Sequence, residues 1–370
     1  MKRSPFFHDI VKHSPELTTV QGWTVPNAFT GQANEHRAVR EQVGLFDWST
    51  TGEIEVKGPQ ALSLVQQVIV NDAAAMPLGR VIYTSILTSE GSMVSDITVY
   101  RLGAEHYMLM TAWGSNAADE RPELSLLREV GSDLDATVTD VSSGVGLLAV
   151  QGPRSRDLLS TLIEGDLSDL RYMWATRTRV AGIRSIISRS GYTGELGYEI
   201  LIPAEHAHDL WEALTTAGKP LGLTLCGMKA AFSLRIEKGY IMRFDFQGRT
   251  PYEVGLGWTV KEQKHSFIGK ERLLAREEAG FHQRLMGLLL QDGYVPNPGD
   301  VIIAAGKKVG DVSSAAFGYT LEIPIALGFV PNRLCKPGVE VTVVDPDGGQ
   351  HPAVVAERPM YDPAGERLHR

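Results

Sequence analysis

The 370-residue chain predicts a multidomain α+β protein with a β-barrel at its C-terminal end. Three observations carry that reading. The nine residues Gly191-Tyr192-Thr193-Gly194-Glu195-Leu196-Gly197-Tyr198-Glu199 place three glycines at spacing three between two apolar runs. That is the pattern of a strand, a tight glycine-rich turn and a returning strand, with positive φ available in the turn. A strand–Gly-Pro–helix unit occurs twice, and each copy leads into β-like runs around a glycine. From about Arg284 short alternating runs separated by Gly, Pro, Asn and Asp take over, the texture of a small barrel or jelly roll.

In chain order, Val56-Lys57-Gly58-Pro59 precedes an amphipathic helix over about Gln60 to Val70, with Leu62, Val65 and Ile69 at helical spacing. Strands Val81–Leu87 and Ile97–Tyr100 follow, around Gly91. In the second copy, Val150-Gln151-Gly152-Pro153 precedes a helix over about Arg154 to Ile163, and then the strands around Gly194. Five residues past each turn glycine stands a carboxylate: Asp96 after Gly91, Glu199 after Gly194. Two half-sites facing one cavity would explain this, and so would a shared unit whose acids arose by chance. Taken alone, the Glu199 segment reads as a hairpin with a solvated acid. Asp96 shares its strand face with Thr98 and Tyr100, opposite the aliphatic Ile97 and Val99. A helical approach, Lys270 to Gly280, leads to barrel runs at Leu285–Leu290, Val301–Ala304, Lys308–Val312 and Val339–Val344.

Composition bounds the function. Single cores stop growing near roughly 250–300 residues, so this length implies two or three. A net charge of −8, without a basic run interleaved with aromatics, argues against nucleic acid as partner. No window approaches a membrane-spanning length, and a cytoplasmic location is expected. Cys226 and Cys335 form no CxxC pair and read as reduced, buried thiols. The ten histidines suggest no metal site: His206 and His208, two apart on one expected helix, do not share a face.

The GYTGELGYE run resembles the signature of the tetrahydrofolate-dependent aminomethyltransferase family, the T-protein of glycine cleavage and its demethylating relatives. The likeness extends over nearly the whole chain. Glu35-His36-Arg37 through Gly44-Leu45-Phe46-Asp47, both Gly-Pro elements, Thr250 to Trp258 and Phe267-Ile268-Gly269-Lys270 match family stretches in order. Val309 to Ser314, followed by Ile325-Ala326-Leu327, resembles its C-terminal domain. The resemblance implies a three-domain cloverleaf around a central folate channel. Residues 1–50 with 140–265 would form the antiparallel, Greek-key folate-binding domain, 51–139 a ferredoxin-like α+β domain, and 270–370 the barrel.

The resemblance also implies roles. Glu199 would accept the pterin amino group and ring N–H together. Tyr192 would close over the pterin with ring and hydroxyl, and Tyr83 would line the same channel. Asp96 would be the catalytic carboxylate, orienting the folate amine and relaying its proton. Glu195 reads as structural, Arg235 as ion-paired with Glu237 or another acid, and Trp258 and Tyr252 as core.

Four departures surround the expected cavity. Trp48-Ser49-Thr50-Thr51 stands where the glycine-cleavage enzymes carry Val-Ser-His-Met, and Ser95-Asp96 replaces paired aspartates. Ala112-Trp113 replaces Asn-Ala, and Ala231-Phe232 replaces Arg-Asp. Trp48, Trp113 and Phe232 would form an apolar or cation-binding wall for the donor. The expected function is therefore a tetrahydrofolate-dependent demethylase moving CH₃ from a small O-, S- or N-methyl donor to folate N5, with homo-oligomerisation left open. The alternatives are aminomethyl transfer from a lipoyl carrier protein and non-catalytic folate binding. Tyr83, Tyr240 and His106 are candidate acids for a leaving group.

Overall fold

The computed structural model describes residues 1–112 and 121–370; Trp113 lies outside the described residues. Two large sheets, a two-stranded sheet of Glu16–Val20 and Trp23–Ala28, and a closed barrel organise the described residues. The six-stranded sheet runs in the order Ala175–Val180, Ile183–Ser188, Gly197–Pro203, Val145–Gln151, Val43–Asp47, Leu223–Leu225. Every pairing in it is antiparallel except the last, which is parallel. The five-stranded sheet runs Val81–Leu87, Met93–Gly103, His106–Thr111, Gly52–Lys57, Thr137–Asp140. The barrel strands are Gln283–Leu290, Ile323–Pro331, Lys307–Gly318, Val301–Ala304, Glu340–Val344 and Gln350–Ala356, and the last pairs back onto the first. The mixed α+β cloverleaf with a terminal barrel is thus the architecture observed.

The repeated unit is real but unequal. In the six-stranded sheet, Gly197–Pro203 pairs directly with Val145–Gln151. In the five-stranded sheet the equivalent pair is separated by His106–Thr111. The helices between are shorter than their apolar spacing suggests, Ala61–Val68 and Ser155–Ser160. The second copy also carries an extra edge strand, Ala175–Val180.

Each sheet packs one face against its own helices. Leu45, Leu148, Val150, Tyr198, Ile200 and Trp211 belong to the core under the six-stranded sheet. Ile54, Leu64, Val65, Ile97, Val99 and Leu109 belong to that under the five-stranded sheet. The strand alternation turns Asp96, Thr98 and Tyr100 to the opposite face, toward the other sheet. There Tyr100, Val81 and Met110 meet Leu147, Ala175 and Leu201 in a core between the two sheets.

The barrel is locked on by a buried polar junction. Glu237, at the end of helix Met228–Glu237, accepts from Arg40 Nη2 at 2.8 Å, from the Thr320 backbone N–H at 2.8 Å and from His36 Nε2 at 3.2 Å. His36 and Arg40 come from helix Gln32–Glu41, and Thr320 from the turn between two barrel strands. Burial alone would raise the Glu237 pKa, but His36 and Arg40 hold it down at about 2. Arg235 pairs not with Glu237 but with Asp245, at 2.7 Å. Glu195 accepts from Tyr361 at 2.6 Å and lies 3.3 Å from Arg40, a buried structural role.

Candidate functional site

The connection over residues 189–196 is longer than a tight turn, and its glycines have separate causes. Gly194 has φ of 84°, the left-handed region. A Cβ on Gly191 or on Gly197 would collide with the side-chain amide of Gln151 on the neighbouring strand. That amide is fully buried, donating to the Ser190 carbonyl at 3.1 Å and accepting from Thr193 Oγ1 at 2.7 Å. The loop is thereby folded over Gln151, and Tyr192 is carried to the rim of a cavity.

Two confluent spaces open between the sheets. One, of about 210 Å³, is lined by Trp48, Tyr83, Asp96, Tyr192, Glu199 and Phe232, among others. The other, of about 660 Å³, shares Tyr83, Tyr192 and Glu199 and adds Tyr172, Tyr240 and Trp258. The two carboxylates that the repeat places alike therefore face the same space, one from each sheet. Trp48 and Phe232, two of the three expected wall aromatics, are in that wall too.

Asp96 pairs across its ladder with Ser85, and Tyr83 with Thr98, so Tyr83 and Asp96 are diagonal neighbours on one face. The Tyr83 hydroxyl donates to Asp96 Oδ2 at 2.6 Å. Asp96 Oδ1 is buried and has no partner. Burial raises the Asp96 pKa, the Tyr83 hydrogen bond pulls it back, and the balance falls at about 6. The same burial, with the carboxylate alongside, pushes the Tyr83 hydroxyl well above the ordinary tyrosine range.

Glu199 stands in a cage of hydroxyls. Its Oε2 accepts from Ser190, from Tyr100 at 3.3 Å and from Ser188 at 3.4 Å. Burial raises its pKa, and the three hydroxyls partly offset this. Tyr100 reaches across from the five-stranded sheet, so Glu199 is positioned by both sheets. Among the described residues no hydrogen bond falls on Oε1.

Several expectations need correction. The Tyr192 hydroxyl donates to the Ile241 carbonyl at 2.5 Å, which leaves the ring, stacked on Tyr240 at 5.6 Å, as its face to the cavity. Trp258 is not core: it is 62% exposed and stacks on Tyr83 at 6.3 Å. Tyr252, half-buried, does pack against the core that holds Phe246 and Val254. His106 is no candidate acid, since it bonds Glu55 at 2.9 Å and Arg177 at 3.0 Å beside a separate open groove. Cys226 is buried, whereas Cys335 is only partly so; neither is bridged. Asp9, His208 and Glu212 have ligand atoms close enough for a metal ion, but Asp9 Oδ1 already binds Lys12 at 2.6 Å and His208 at 3.0 Å.

Sequence reasoning missed Tyr100, Ser188 and Ser190. The alternation that put Tyr100 on the face of Asp96 was the available signal. No helix among the described residues is long and apolar enough to cross a membrane.

Comparisons with known proteins bear on the family and the fold. The model of the GCVT N-terminal domain matches residues 6–264, and that of the glycine cleavage T-protein C-terminal barrel domain matches residues 283–362. An aminomethyltransferase of Halothermothrix orenii is 37% identical over 346 residues, covering 93% of this chain and 96% of its own. One of Symbiobacterium thermophilum is 38% identical over 367 residues, covering 98% and 97%. The crystal structure of glycine cleavage system aminomethyltransferase T from Bartonella henselae superposes with a TM-score of 0.89 at 27% identity, covering 98% of each chain.

Proposed function

The chain belongs to the glycine cleavage T-protein family, and from that premise we propose that it is an aminomethyltransferase delivering a one-carbon unit to tetrahydrofolate. The observation that carries the reading is the pair of carboxylates, Asp96 and Glu199, brought from two sheets to one cavity. The residues present fit tetrahydrofolate. Glu199 is held by three hydroxyls on one oxygen, which leaves the other for the pterin amino group and ring N–H. The rings of Tyr83, Tyr192, Tyr240 and Trp258 supply flat apolar surface beside it.

Tetrahydrofolate supplies the nucleophilic nitrogen that accepts the carbon. Asp96 does the proton work: with a pKa of about 6 it is largely ionised at neutral pH, yet remains basic enough to take a proton. Its unpartnered Oδ1 is the atom that faces a ligand amine, while Tyr83 fixes Oδ2.

A second reading, demethylation of a small methylated donor, is favoured by the wall. Trp48, Ala112, Met228, Ala231 and Phe232 make the smaller space apolar around Asp96. Methyl groups, and sulfonium or ammonium centres, suit such a wall. The domain boundaries 1–50 with 140–265, 51–139 and 270–370 are proposed alongside; strands Val43–Asp47 and Val145–Gln151 sharing one sheet supports the discontinuous unit.

Anaerobic calorimetry with tetrahydrofolate tests the site. Glu199→Ala should weaken binding by about 2–3 kcal/mol, the scale of lost charged hydrogen bonds. No binding by the wild-type protein would sink both readings. One-carbon transfer that requires an aminomethylated lipoyl carrier supports the first, whereas label moving to folate from a free methylated compound without carrier supports the second.

A further inference from the structure

We propose that the cavity contains a carboxylate-binding station formed by Arg235 and Arg243. This rests on reading the cavity as the tetrahydrofolate site. The two are the cationic side chains in the wall of the smaller space, and each has donor capacity that nothing in the protein uses. Arg235 is fully buried, and its Nη1 serves both Asp245 at 2.7 Å and the Tyr240 carbonyl at 3.0 Å. Its Nε and Nη2 have no acceptor. Buried guanidinium N–H groups without acceptors are costly, and a native site keeps them where a ligand completes the set. Asp245 cannot serve further: its two oxygens already take Ser313, Ser314, Arg235 and the Met242 N–H.

Phe232 and Phe244 pack against the Arg235 guanidinium from one side, with its carbon 4.4 and 5.3 Å from their ring centroids and the centroids 6.3 Å from each other. The unused Nε–H and Nη2–H are neighbours on one edge of the guanidinium, the edge that a planar carboxylate matches in a fork. Arg243 is exposed, and its side chain makes neither an ion pair nor a hydrogen bond among the described residues. With Arg235 neutralised by Asp245, Arg243 supplies an unmatched positive charge at this wall. Ala231, one helical turn before Arg235, contributes only a methyl group. An anion entering here thus meets one fork and one free charge, which must outweigh the Asp96 and Glu199 carboxylates that line the same space.

A carboxylate can reach the station from two sources, the glutamyl end of tetrahydrofolate or the one-carbon donor. Calorimetry separates them with four probes: tetrahydrofolate, 6-methyltetrahydropterin (no glutamyl end), benzoate, and neutral benzamide. The proteins are wild type, Arg243→Ala, which alters only an exposed side chain, and Arg235→Lys, which keeps the charge and loses the fork.

If the station holds the glutamyl end, both variants bind tetrahydrofolate about tenfold to a hundredfold more weakly and 6-methyltetrahydropterin as wild type does. If it holds the donor, tetrahydrofolate affinity is unchanged, while benzoate binding drops by the same factor and benzamide binding does not. Unchanged affinities for every probe, or equal losses for benzoate and benzamide, overturn the station. Wild type that binds benzoate through Arg243 but neither pterin would retain the station and overturn the folate reading.

Discussion

Replacing Tyr83 by Phe deletes one hydroxyl from the cavity wall and leaves the ring that stacks on Trp258. That hydroxyl makes the 2.6 Å hydrogen bond to Asp96 Oδ2, while Oδ1 has no partner. The variant therefore removes the one side-chain hydrogen bond that favours the ionised carboxylate. A hydrogen bond to a charged group contributes about 1.5–3 kcal/mol, and one pKa unit corresponds to about 1.4 kcal/mol. The Asp96 midpoint should then climb from about 6 by ~1–2 units. At pH 7 the ionised fraction would fall from ~90% to ~50% or less, which follows from the same shift. The assay is ¹³C NMR of aspartate carboxyl carbons titrated from pH 4 to 9, with Asp96→Asn identifying the resonance. It needs neither donor nor folate. The acid limb of the turnover profile should move in parallel. A midpoint that stays in place or falls would refute the idea that Tyr83 holds the carboxylate in its charged form.

Two further predictions concern the frame. Glu237→Ala leaves the buried Arg40 guanidinium only the longer contact to Glu195 at 3.3 Å and strips the Thr320 N–H of its acceptor, and it should cost about 3–5 kcal/mol in chemical denaturation; a loss under about 1 kcal/mol would mean that the junction does not hold the barrel. Burial raises Glu53 to about 8 from an ordinary 4.5, with Thr51 donating at 2.8 Å in partial compensation. The folded chain thus keeps a proton that the unfolded chain releases, so its stability is full below pH 4.5 and declines as pH rises toward 8. Glu53→Gln should show a Tm advantage over wild type that grows across this window, and a constant difference would contradict the assignment.

What the amino-acid sequence made legible follows period-two order. Counting from Gly91 and Gly194 put Asp96 and Glu199 on returning strands, and alternation turned Asp96 away from Ile97 and Val99. The barrel was legible in outline, but Ile323–Pro331 and Gln350–Ala356 were not assigned as strands. Each carries proline, at Pro324 and Pro331 or at Pro352, which argues locally against a ladder position. The hydroxyl cage on Glu199 was hidden because it needs Tyr100 from a different sheet; nothing local to Glu199 points there. Trp258 misled because aromatic character permits burial without requiring it. Arg235 was known to need an acid, but its choice of Asp245 over Glu237 depends on how the chain turns after Gly239, where φ is 69°.

The Gln151 amide gives the glycine motif a different standing from the one its letters suggest. Two of the three glycines are excluded from bearing a side chain by a single residue on another strand, whereas Gly194 answers to its own backbone and to the Lys238 side chain packed on it. Positions 151, 191 and 197 therefore form one steric unit. A shorter residue at 151 would free both glycines to vary, but it would also cut the hydrogen bonds that shape the loop under Tyr192. Substitutions there should be tolerated only in combination, since the loop and Gln151 hold each other in place.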